Sequence, residues 1–381
     1  MNYILFDNNR DNFLPLTYTR SVSDIRIGIL TIYEKWKFFL GTDLSVKTID
    51  YLQPKYNLLI KSDNIFINSS VLPSNELIDS INKLNDSEAI FFNNTIIAYR
   101  NNPNKKIEFN KPIVYISELW HIFRFNSQCI KDDFKLITNN KTSQKLSDTN
   151  RFINKENIFV ENGAKVEHCI LNASDGPIYI GKDSEIMEGS MIRGPFALCN
   201  NSIIKMGAKI YGGTTFGPHC KVGGEVNNSV LLGFSNKSHD GFLGNSIIGE
   251  WCNLGADTNT SNLKNNYASV KIWSEKENSF IDTGLQFFGL IMGDHSKTSI
   301  NTMFNTGTII GSCVNIFGSG FPRNFVPSFS WGGSSGYSSY QLEKFYDVAK
   351  KVMLRRNITF SSIDKEIYKN IFDITLFQRK Y

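Results

Sequence analysis

The chain has 381 residues, 41% of them hydrophobic, which is more than one ordinary compact core organises, so two domains and an appendage are expected. Its formal net charge of +5 is mild and carries no long Lys/Arg block, which excludes the footprint of a dedicated nucleic-acid binder and leaves small anionic substrates open. No apolar run approaches a membrane span or a signal-peptide core, and Cys129, Cys169, Cys199, Cys220, Cys252 and Cys313 show neither a CxxC pair nor metal-ligand spacing; a cytoplasmic chain with free thiols, no metal site and no membrane partner is expected.

In chain order, residues 3–6 read as a buried strand and residues 25–40 as a helix ended by Gly41. Residues 89–92 and Thr95–Arg100 read as a hairpin around Asn93-Asn94. Together they predict an α/β domain over 1–110. Residues 111–157 read as a helix containing residues 119–125 and then a polar linker.

From Ile180 an apolar residue recurs every six positions: Ile180, Ile186, Ile192, Leu198, Ile204, Ile210, Phe216 and Val222. Four residues after the anchors stand Ser184, Ser190, Phe196, Ser202, Ala208, Thr214 and Cys220, all small except Phe196. A period of six fits neither an amphipathic helix nor an alternating strand. It fits a coil of short strands in which a large residue fills the interior and a small one occupies the corner, each coil being stabilised by its neighbours. The count stops after Val222, resumes at Phe242, Ile248 and Leu254, stops again, and returns at Met292, Thr298, Phe304, Ile310 and Ile316. The two gaps, 223–241 and 256–282, are expected as projecting loops, where a solenoid usually carries its binding chemistry. A Ser/Gly-rich stretch at 328–336 marks the end of this domain, expected over 158–335. In the tail, 336–381, Leu342, Phe345, Tyr346, Ala349, Val352 and Met353 share one helical face, and Lys350, Lys351, Arg355 and Arg356 add a basic stripe that reads as a solvated face or a phosphate contact.

The segments Asn236-Lys237-Ser238-His239-Asp240-Gly241-Phe242-Leu243-Gly244, Ile248-Gly249-Glu250-Trp251-Cys252-Asn253-Leu254-Gly255-Ala256 and Ser261-Asn262-Leu263-Lys264 resemble the acetyltransferase half of the bifunctional UDP-N-acetylglucosamine pyrophosphorylase/glucosamine-1-phosphate N-acetyltransferases, the GlmU family. Gly293-Asp294-His295-Ser296-Lys297-Thr298 resembles the same group. The resemblance implies a left-handed parallel β-helix of hexapeptide repeats, a homotrimer with the acyl-CoA cleft between neighbouring prisms, and acetyl-CoA as co-substrate with an amino-sugar phosphate acceptor. By motif, His239 becomes the general base, Asn253 and Asn262 hold the sugar, and the backbone N–H of Ala256 faces the thioester carbonyl. Lys264, Lys271 and Lys221 become phosphate partners and His295 a contact to coenzyme A. Phe242 and Leu263 stand where the family has tyrosines, which bears on the exact acceptor. His121, His168 and His219 are expected to be structural.

Arg10 and Leu14-Pro15-Leu16-Thr17-Tyr18-Thr19-Arg20 resemble the opening of sugar-1-phosphate nucleotidyltransferases, which implies nucleotide or phosphate contacts from Arg10, Thr17, Arg20 and Arg26, with UTP or another nucleoside triphosphate as substrate and Mg2+ if this domain is active. The family's Gly-rich turn is replaced by Asp7-Asn8-Asn9, its lysine is missing near Val22, and the strand expected to end in a metal-binding Asp ends in Ser70. Three readings follow: an N-acetyltransferase, a nucleotidyltransferase that uses the repeats for assembly, and a non-enzymatic scaffold.

Overall fold

The computed structural model describes residues 1–381. They form two compact units, Met1–Phe13, Thr19–Ile25 and Leu30–Leu119 in one, and Leu14–Tyr18, Arg26–Ile29 and Trp120–Tyr381 in the other.

The first unit is α/β. Strands β1 (Asn2–Phe6), β2 (Ser45–Lys47), β3 (Asn64–Asn68), β4 (Glu88–Phe92), β5 (Thr95–Arg100) and β6 (Lys105–Glu108) make one mixed sheet in the order β2-β1-β3-β5-β4-β6. Ile4, Leu5, Ile65 and Ile67 are fully buried and form its centre. The β4–β5 hairpin turns at Asn93 and Asn94, with φ of 46° and 64°, values that Asn tolerates better than most residues. Helix α1 spans Ile32–Leu40, shorter than the 25–40 expected. Thr31 caps it by accepting from the Glu34 N–H, while Ile25 is extended, with ψ of 127°; the polar cap overrides the apolar run before it. Helix α2 (Asn75–Asn82) is capped by Ser74.

The second unit opens with α3 (His121–Thr138), far longer than the 119–125 segment seen in the sequence. Its buried Asn126 donates to the carbonyl of Gly213 at 2.7 Å and to Thr215 Oγ1 at 3.0 Å, tying the helix to a parallel β-solenoid. The solenoid begins at Arg151–Ile153, which pairs with Ile170–Asn172, so regular coils start inside the stretch that composition marks as linker. Its longest sheet has nine strands. The register stacks Val160, Ile180, Leu198, Phe216, Leu231, Ile248, Met292, Ile310 and Val326 in one interior column. All are fully buried. The small residues close the corners: Ser202 Oγ, for example, donates to Gly217 O at 2.8 Å and accepts from Cys220 N at 3.0 Å. A bulky side chain there would leave those backbone groups unpaired.

The first expected loop, 223–241, is instead a full coil carrying strands Glu225–Asn227, Val230–Gly233 and Asn236–Lys237. The count failed for two physical reasons. Ile192 and its partner Ile210 lie 18 residues apart, whereas Phe216 and Leu231 lie 15 apart, because the steps from Val222 to Val226 and from Val226 to Leu231 are both shorter than six residues. Moreover, the residue beneath Val222 in the interior column is Lys237, which a hydrophobic count rejects. When the pattern resumes, Leu243 and not Phe242 is the interior residue. The second gap begins within a coil, at Asn259–Thr260, and then projects as an antiparallel hairpin, Lys271–Ser274 against Ser279–Asp282. Trp273 of this hairpin stacks on Phe325 with centroids 5.0 Å apart. The stretch at 328–336 ends the coils as the hairpin Ser330–Gly333/Gly336–Ser339.

Two helices follow, α4 (Leu342–Leu354) and α5 (Ser362–Ile374). They cover a ladder of aromatic corner residues that share a left-handed backbone: His219, Phe234, Trp251 and His295, with successive centroids 5.0, 4.3 and 5.9 Å apart. Phe345 and Tyr368 meet the His295 ring edge to face. This docking fixes where the basic end of α4 lies. No helix is long and apolar enough to cross a membrane.

Candidate functional site

The outer face of one solenoid sheet carries a polar column. Parallel pairing places Lys221, Asn236, Asn253 and Lys297 on successive rungs, which are about 4.8 Å apart. These rungs floor a cleft of about 620 Å³ whose wall holds His239, Ala256, Trp251, Arg355 and Arg356. His239 and Asn253 are exposed, so both are open to a ligand.

The electrostatics of this cleft are set by crowded cations. The Lys221 ammonium is held below its ordinary pKa first by burial and then by Arg356, Lys205 and Arg355, a potential that favours an anionic ligand. Lys297 donates to the carbonyl of His295 at 2.9 Å, and burial lowers its pKa. Asn236 Nδ2 approaches Asn253 Oδ1 at 3.4 Å, while Asn236 Oδ1 is buried without a partner; it is an acceptor available to a donor group on a ligand.

Of the residues singled out in the sequence, His239, Asn253, Ala256 and Lys221 meet in this cleft. The others do not line it. Asn262 donates to Asn245 Oδ1 at 2.8 Å, Lys264 donates to the carbonyl of Ser269 at 2.7 Å, and Lys271 opens the projecting hairpin. His295 is 1% exposed inside the aromatic ladder. His121, with Trp120 and Phe125 against its ring, has its pKa lowered to about 4 by burial. Asn236 and Lys297 escaped sequence reasoning, because only strand register brings their coils together. The Arg355-Arg356 pair was visible as a basic stripe, but its position was not.

The residues tied to nucleotide binding are placed differently. Thr17 is fully buried, Arg20 is 2% exposed and Arg26 is 8% exposed, with its guanidinium donating to the Ile29 carbonyl. Arg10 reaches Tyr51 Oη at 3.2 Å and Asp11 at 3.6 Å. Where a metal-binding carboxylate would stand, Ser69 and Ser70 are fully buried. The nearby Asp7 accepts from Ser21 Oγ, Val22 N and Thr48 Oγ1. These groups do not fit a divalent cation, which needs several open oxygen ligands.

Residues 3–142 match a family described as sugar nucleotidyl transferase. The chain is similar to the bifunctional protein GlmU of Methanococcus aeolicus, 39% identical over 90 residues, covering 23% of this chain and 21% of the relative. It is also similar to the bifunctional sugar-1-phosphate nucleotidylyltransferase/acetyltransferase of Sulfurisphaera tokodaii, 27% identical over 172 residues, 45% of this chain and 42% of the relative. The chain thus spans from about a fifth to two fifths of the length of these curated relatives. Among solved structures, the polysialic acid O-acetyltransferase OatWY is similar at 14% identity and a TM-score of 0.28, covering 50% of this chain and 87% of that one.

Proposed function

We propose that this chain transfers the acetyl group of acetyl-CoA to the amine of an amino-sugar 1-phosphate, glucosamine 1-phosphate foremost, as a cytoplasmic homotrimer serving UDP-N-acetylglucosamine synthesis. The observation that carries the reading is the convergence of His239, Asn253 and Ala256 with Lys221, Arg355 and Arg356 around one cleft. In this account the His239 imidazole takes a proton from the amine as its nitrogen attacks the thioester carbonyl, a task suited to histidine. The N–H of Ala256 stabilises the oxyanion of the tetrahedral intermediate. Its collapse breaks the C–S bond, and the departing thiolate receives the proton held by His239. Asn253 and the orphaned Asn236 oxygen orient the sugar, and the cations hold its phosphate and those of the co-substrate. Asn262, Lys264, Lys271 and His295 lie outside this cleft and carry no step of the transfer.

The match of residues 3–142 to sugar nucleotidyl transferases favours a second reading, uridylyl transfer in the front domain with UTP and Mg2+. The burial of Thr17, Arg20 and Arg26 speaks against it, and no step is derived through the metal.

The test is thiol release from acetyl-CoA by the full chain with glucosamine 1-phosphate, galactosamine 1-phosphate and no acceptor, the product being identified by mass. Acceptor-dependent release with a product heavier by one acetyl group is expected. Absence of release with every acceptor would overturn the reading, and pyrophosphate release from UTP and sugar 1-phosphate would install the second.

A further inference from the structure

Lys237 occupies an interior anchor of the solenoid. It stands in line with Val166, Ile186, Ile204 and Val222, is 2% exposed, and is the sole charged member of that stack. The corner from Val222 to Val226 that lies over it is the shortest of this coil. Its Gly223-Gly224 turn therefore sits directly against the backbone of residues 238–241. A Cβ on Gly224, whose φ is 75°, would lie 2.9 Å from the Asp240 Cα and 3.0 Å from the His239 carbonyl oxygen. The Lys237 ammonium joins the two turns from within, donating to Gly223 O at 3.1 Å and to His239 O at 2.6 Å.

From this geometry we infer that Lys237 is the positioning residue of the cleft: its buried ammonium joins the two corner turns and fixes the backbone from which the His239 imidazole projects. The inference rests on the reading of His239 as the base. Three considerations carry it. An aliphatic side chain would fill this column at no desolvation cost, so a lysine here is costly unless the ammonium is used. Its two acceptors are main-chain carbonyls, one of them on the functional residue itself, and a group held through its own backbone loses little freedom before reaction. Asp240 and Asp257 favour the charged form, although burial brings the lysine down to about 8. Lys237 touches no reacting atom in this account and acts only through residues 238–241.

The experiment compares the full-length wild type with Lys237→Met and Lys237→Leu, two variants that restore an apolar column. Peptide-resolved hydrogen exchange is measured alongside steady-state kinetics with acetyl-CoA and glucosamine 1-phosphate. Both variants are expected to keep wild-type protection in the other coils, to exchange at least about tenfold faster across residues 238–242, and to lose at least about tenfold in kcat with KM changed by less than about threefold. Unchanged exchange across 238–242 would overturn the inference whatever the turnover. So would faster exchange with kcat intact, or a loss confined to KM. If the wild type transfers no acetyl group, the reading of the base fails by itself, and the exchange data alone decide whether Lys237 holds the turn.

Discussion

In the first unit Asp7 accepts three hydrogen bonds and Arg20 is 2% exposed, whereas in the second Lys221, Arg355 and Arg356 surround an open cleft. Both regions carry motifs that resemble ligand-binding families, yet their polar groups have opposite fates. Those of the front unit are consumed in holding loops together. Those of the cleft stay accessible, and the arginines help to hold the Lys221 ammonium below its ordinary pKa, a potential that a bound anion would relieve. A motif thus speaks for binding only when its side chains remain available to a ligand.

This contrast can be broken by removing groups of each kind. Asp7→Ala leaves the donors of Ser21, Val22 and Thr48 without their acceptor, and should destabilise the first unit by roughly 3–5 kcal/mol, since each unsatisfied buried group costs about 1–3 kcal/mol; denaturant unfolding measures it, and acetyl-CoA binding should not change. Lys237 provides a pH-dependent version. Its folded pKa of about 8 lies below the value for a free lysine, so between the two the unfolded chain holds more protons and stability rises with pH. The gain across roughly pH 8–10.5 should be about 3 kcal/mol. Denaturation midpoints over that range should climb in the wild type relative to Lys237→Met, and parallel curves would contradict the assignment.

Removing groups of the cleft should act on binding and leave stability in place. The double substitution Arg355→Ala/Arg356→Ala should weaken the affinity for a phosphorylated ligand by about 10–100-fold, the equivalent of one or two charge-assisted hydrogen bonds, in calorimetric titrations whose signal shrinks further with salt. Unfolding should be nearly unaffected; a large loss of stability would place these arginines with the consumed groups. The smallest effect belongs to the front hairpin. Asn93→Ala, at a φ of 46°, should cost about 1 kcal/mol, read from the first unit's unfolding.

The sequence made the solenoid legible wherever a coil has regular length and an aliphatic interior, because Ile180 through Val222 then recur at a fixed step. It hid the coil at 225–237, where a shortened corner shifts the step and Lys237 replaces the expected apolar anchor. Helix α1 starts later than its apolar run suggests because Thr31, a polar residue inside that run, caps it and sets the boundary. The cleft was legible in His239, Asn253, Ala256 and Lys221 through their motifs. Asn236, Lys297 and the position of Arg355 and Arg356 were not, since they depend on strand register across coils and on the docking of α4 over the aromatic ladder. Asn262 and His295 do not line the cleft: Asn262 is tied to Asn245, and His295 is packed in the aromatic ladder behind Trp251.

If His239 is the base of an acyl transfer carried out in this cleft, its loss stops turnover without disturbing co-substrate binding. The most direct measurement is the acceptor-dependent rate of thiol release in wild type and His239→Ala, with acetyl-CoA affinity measured on both proteins. In His239→Ala, kcat is expected to fall by about 10²–10⁴ while acetyl-CoA affinity stays within about threefold of wild type. A variant that turns over as fast as the wild type would contradict that role for His239.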